Sequence, residues 1–82
     1  MKYHIEVKKT LETDNEKKFF VGSEIAFTVK DTGKHYIAEI IEICDTFMVV
    51  DNIDCGKEHL PGKMVVYYDN IVDNSCSYVS VD

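Results

Sequence analysis

Arginine is absent from this sequence: all nine basic residues are lysine, against fifteen acidic residues, for a net charge of −6. The guanidinium fork is the better geometric match to phosphate, and nucleic-acid backbones are held by positive charge. An acidic chain without that fork is a poor generic phosphate binder. No run of apolar residues approaches the roughly twenty needed to span a bilayer as a helix. The four glycines are scattered and form no phosphate-cradling loop, and the single proline marks no linker. The three cysteines, Cys44, Cys55 and Cys76, form no Cys-x-x-Cys pair. An odd number argues against a disulfide framework, and buried or idle thiols are the plain reading. At 82 residues the chain is too short for a dinucleotide-binding or eight-stranded parallel-barrel enzyme domain.

What is present is apolar residues at 45%, enough for one packed core, with no repeat and no linker to divide residues 1–82. Charge is uneven. Residues 1–41 carry seven lysines and seven acids, whereas residues 42–82 carry two lysines and eight acids. Lys8, Lys9, Lys17 and Lys18 lie close in sequence and read as a solvated loop. The opening MKYHIEVKK has no apolar segment of the secretory kind, so a cytoplasmic location is expected.

Strand signals dominate the chain. Tyr3, Ile5 and Val7 alternate with polar neighbours. Residues 10–18 are polar without periodicity and read as a loop or one helical turn. Ile25, Phe27 and Val29 share a face, and Asp31-Thr32-Gly33 is a tight turn. In the next run Tyr36, Ala38 and Ile40 share one face, and Ile41 and Ile43 follow one residue out of step. Such a phase change predicts a β-bulge or sharp bend. FMVVDNI and MVVYYDNI read as strands with apolar residues on both faces, separated by a loop over 54–63. A short strand closes the chain. About six short strands with evenly spaced turns predict an all-β protein, a small, strongly bent antiparallel barrel.

Residues Ile25 to Val72 resemble the Sm-like family of small barrels. The first motif reads Phe27, Val29, Gly33, Tyr36, Ala38, Ile40, Ile43, Asp45, Phe47 and Met48. The second runs from Met64 through Tyr67, Tyr68, Asp69 and Asn70 to Val72. Barrels of the Src-homology-3 type use similar alternation. The resemblance implies a bent barrel that joins its fourth and fifth strands edge to edge between subunits into a ring. It also implies an RNA-binding alternative using Asp45, Tyr67, Tyr68, Lys8 and Lys9. Tyr67-Tyr68 stands where the family usually has Arg-Gly, and Val49 where many members carry a base-contacting Asn. The resemblance therefore implies the barrel more than RNA binding.

Candidate chemistry is sparse. Asp31-Thr32-Gly33 matches the triplet of aspartic proteases, but Lys30 and Lys34 flank it as they would an exposed turn. Cys55 and His59 have the spacing of half a zinc site. No nucleophile and base are paired by spacing, and no cofactor or metal is expected. The reading is a non-enzymatic assembly or protein-interaction module that self-associates through strand edges. Met48, Val50, Val65 and Tyr67 are the expected interface, and a second copy or another protein is the expected partner.

Overall fold

The computed structural model describes residues 1–7 and 9–79. Nine strands form among them: β1 (Tyr3–Glu6), β2 (Thr10–Thr13), β3 (Lys18–Phe20), β4 (Glu24–Thr28), β5 (His35–Ile43), β6 (Phe47–Cys55), β7 (Glu58–Leu60), β8 (Met64–Tyr67) and β9 (Ser77–Tyr78). A 3-10 turn covers Tyr68–Asn70. All pairings between strands are antiparallel, in two sheets. One is β1-β2-β3. The other is β7-β6-β5-β4-β9, with β8 also on β6.

The second sheet follows from the apolar spacing. Ile25, Phe27 and Val29 point into the core from β4 and the turn after it. Gly33 takes a left-handed φ of 69°, and its N–H bonds the Val29 carbonyl at 2.8 Å, which closes the β4–β5 hairpin. Strand β5 changes phase as the sequence predicts: Ala38, Ile40 and Ile43 are buried. Between Ile40 and Glu42 the register against β6 shifts, so Ile41 is the extra residue of a bulge. A second shift, between Ile37 and Glu39, places its extra residue on β6, beside Asn52 at φ 49°. Two bulges on one strand pair bend the long β5–β6 hairpin sharply.

The chain after β8 crosses from one side of this sheet to the other. Strand β8 pairs with β6, whereas Ile71 bridges Val29 beside β4. The Lys30 N–H bonds the Asn70 carbonyl at 2.7 Å, and the Val72 N–H bonds the Thr28 carbonyl at 2.9 Å. The sheet therefore curls, but the strand pairings do not close it into a barrel.

Three expectations are corrected. Residues 10–18 are not a loop: Thr10–Thr13 pair with β1, and Leu11 is fully buried. Their polar composition hid a strand because only Leu11 and Thr13 face inward. Residues 54–63 contain the end of β6 and strand β7, joined through Gly56 at φ 63°. The fifth expected strand stops at Tyr67, where Tyr68 enters the 3-10 turn.

The two sheets share one apolar cluster. Met1, Leu11 and Phe19 belong to it together with Ile25, Phe27, Ile40, Met48, Tyr68 and Ile71. The Tyr3 ring lies 4.5 Å from that of Tyr68, and Phe19 4.9 Å from Tyr78. Asn15 adds a side-chain N–H to the Cys76 carbonyl at 2.9 Å, and Asp14 accepts from the Asn74 N–H at 3.0 Å. No helix of the described residues is long and apolar enough to cross a membrane.

Candidate functional site

The β6–β8 pair carries most of the expected site residues, and its alternation sorts them. Successive strand residues point to opposite faces. Met48 and Val50 face inward and are fully buried, as is Val66 nearly so. The interface expectation at Met48 and Val50 is therefore corrected: both are core side chains. The other face carries Phe47 and Val49 on β6, half-buried, and Val65 and Tyr67 on β8, which are 50% and 57% exposed. Register sets Phe47 opposite Tyr67 and Val49 opposite Val65. The Phe47 and Tyr67 rings are 5.7 Å apart and tilted. Phe47 and Val49 were missed as site residues because both faces of this strand are apolar, so alternation alone does not say which is inside.

The expected edge-to-edge joining is also placed differently. The two strands pair with each other within one chain. Strand β6 has β5 on one side and β7 with β8 on the other, so it offers no open edge. Among the described residues strand β8 pairs with β6 alone. Beyond its far side lies a cleft of about 230 Å³, bounded across by Val29, Asp31, Thr32 and Tyr36.

Tyr68 belongs to the core rather than to the RNA-binding alternative. Its ring is fully buried, and its hydroxyl donates to the Cys44 carbonyl at 2.8 Å. Burial raises its pKa, with the nearby Cys44 adding to the effect, so the phenol stays neutral. Adjacent Tyr67 takes the outer face, so two neighbouring tyrosines serve two surfaces. Asp45 is exposed in the β5–β6 turn, and Lys9 is exposed in the β1–β2 turn. Lys8 lies outside the described residues.

The remaining chemical candidates fall apart in space. His59 sits opposite Asp54, with Nδ1 2.9 Å from its carboxylate, whereas Cys55 sits opposite Glu58. Cys55 and His59 thus point to opposite faces of the β6–β7 hairpin. Among the described residues no cluster of three or more His, Cys, Asp or Glu is placed to hold a metal. Cys76 is buried with its Sγ 3.4 Å from the Met1 sulfur, and desolvation pushes its thiol pKa up to about 12. Such a thiol is inert near neutral pH. A larger cleft of about 550 Å³ is lined by Val21, Ile41, Glu42, Ile43, Asp45 and Phe47. It continues the apolar surface of Phe47 around the end of β5. No family model, curated protein or solved structure matches this chain.

Proposed function

We propose that this chain is a non-enzymatic interaction module that self-associates, built on a strongly bent small β-fold of the Sm-like or Src-homology-3-like kind. The observation that carries the reading is the outer face of β6 and β8. Four apolar side chains, Phe47, Val49, Val65 and Tyr67, form two cross-strand pairs there. The outward face of an isolated antiparallel hairpin is ordinarily polar. The first sheet does not cover this surface: Tyr3 packs on Tyr68, at the core side of the same segment. Tyrosine with aliphatic neighbours is the composition of a buried contact between proteins. The net charge of −6 and the absence of arginine favour a protein surface over a nucleic acid. The two bulges on β5 and β6, with the crossing from β6 to β4, supply the strong bend of that reading, in a sheet whose pairings stay open.

The test is the mass of the purified protein by light scattering after size exclusion, over a range of concentrations. The expected result is a multiple of 9.4 kDa. The double variant Val65→Ser/Tyr67→Ser should return the mass to that of one chain with an unchanged circular dichroism spectrum. A single-chain mass for the unmodified protein at every concentration overturns self-association.

A further inference from the structure

We infer that the partner is a second copy of this chain, joined by antiparallel pairing of β8 with β8 about a two-fold axis through Val66. The inference rests on the self-association proposed above and names its edge, symmetry and register.

The first argument is the direction of the β8 backbone. The Tyr68 N–H bonds the Thr46 carbonyl at 3.1 Å, which continues the register that sets Met48 opposite Val66. Hydrogen-bonded and non-hydrogen-bonded pairs alternate along an antiparallel ladder. Met64 and Val66 therefore spend their backbone groups on β6, while Tyr68 gives its N–H to Thr46 and its carbonyl to the Ile71 N–H of the 3-10 turn. Val65 and Tyr67 aim theirs at the open edge. These are the two residues whose side chains form the exposed apolar face.

The second argument compares the edges. Natural proteins blunt an open edge with charge, proline, bulges or a cover. Strand β1 carries exposed His4 and Glu6, and β7 carries exposed Glu58 and His59. The end of β3 is closed by its own turn, where the Phe20 N–H bonds Ser23 Oγ at 3.0 Å and the Ser23 N–H bonds the Phe20 carbonyl at 2.9 Å. Near β9, Tyr78 bonds the Lys18 backbone and packs on Phe19. Strand β8 reads Met-Val-Val-Tyr, with no charge, proline or bulge inside it, and its free side faces the cleft bounded across by Val29, Asp31, Thr32 and Tyr36, which the partner strand would enter.

The third argument fixes the register. Residues directly opposite in neighbouring strands share a face. Outward Val65 can therefore face only an outward residue, and its edge groups need a partner whose groups also point outward. Val65 opposite the partner's Tyr67 meets both conditions twice over, by symmetry, and sets Val66 against the partner's Val66. The β6–β8 pairing then extends across the axis. Phe47, Tyr67, the partner's Val65 and the partner's Val49 form one row, and the symmetry-related row repeats it. Charge agrees with the direction. Lys63 precedes β8 and Asp69 follows it, both exposed. Antiparallel pairing brings each Lys63 to the end bearing the partner's Asp69, whereas parallel pairing sets like against like.

Light scattering of the intact chain is expected to give twice the single-chain mass. Val65→Pro removes a donor that faces away from β6, so it leaves the internal ladder intact. It should weaken dimerisation about tenfold, for the two edge hydrogen bonds lost per dimer. Lys63→Glu and Asp69→Lys should each weaken it, and Lys63→Glu/Asp69→Lys should restore it. Asp69→Lys lowers the net negative charge, so weakening there cannot come from general repulsion. A dimer indifferent to Val65→Pro and to the charge exchange overturns the β8 edge while self-association stands. A ring of higher mass overturns the two-fold pairing, and a single-chain mass overturns both readings.

Discussion

Tyr67 and Tyr68 show how one residue step decides role. Tyr67 lies on the open face of β8, while Tyr68 turns inward at the start of the 3-10 turn and bonds the Cys44 carbonyl. Tyr68→Phe leaves that carbonyl without its hydroxyl donor. The expected loss is about 1–2 kcal/mol, read from urea unfolding. Cys76 adds a pH dependence. Its thiol pKa stands near 12 in the fold against 9.0 for the free side chain. The unfolded chain therefore releases this proton first, between pH 9 and pH 12, and stability falls as pH rises across that window. Tyr68, raised in the same direction, steepens the fall above its ordinary value of 10.0. The urea midpoint should decline above pH 9, and Cys76→Ala should flatten the first part of that decline. A midpoint constant from pH 8 to pH 11 in the unmodified protein counts against both burials. At this scale the sequence was only partly legible. The opposition of Tyr67 and Tyr68 follows from strand alternation, but which of the two is inside depends on the segment that covers it. Here that cover is Tyr3, sixty-odd positions away in the chain.

At the scale of elements, the β5–β6 hairpin was legible because its apolar pattern slips phase at Ile41, and the register shift falls there. The second bulge left no such mark. It depends on Asn52 holding a φ of 49°, with its side-chain N–H on Glu39 at 3.0 Å. Asparagine tolerates that conformation, and a β-branched residue does not. Asn52→Val is therefore expected to destabilise the fold by about 1–2 kcal/mol, while Asn52→Gly changes stability by under about 1 kcal/mol. Equal effects of the two substitutions in urea unfolding would show that the left-handed backbone is not what matters there. Strand β2 was illegible for a different reason. A four-residue strand with two outward polar positions has too few apolar residues to show a period, and it exists by pairing with β1 and β3. The candidate interface suffers the opposite problem. Phe47 to Val50 is apolar throughout, so the inner set, Met48 and Val50, was indistinguishable from the outer set until β8 was placed.

At the scale of the whole molecule, the question is why 82 residues use two sheets. A curled sheet that does not close leaves one side of its core open, and the first sheet with the chain start before it supplies Met1, Leu11 and Phe19 to that same cluster. The cover and the sheet it covers are then energetically one body. Leu11 is the sharpest probe, since it sits on the central strand of the first sheet and is fully buried. Leu11→Ala is expected to cost about 2–5 kcal/mol. Because the core is shared, the loss should move one cooperative transition rather than split it. Far-ultraviolet circular dichroism reports all strands, and tyrosine fluorescence includes the Tyr3–Tyr68 contact between the first sheet and the turn after β8. The two signals should shift together to lower urea. If fluorescence changes first and the remaining ellipticity persists, the first sheet is a detachable cover. The β4–β6 core would then stand alone, and its newly bared Tyr68 side would compete with the outer face of β8 as the surface available to a partner.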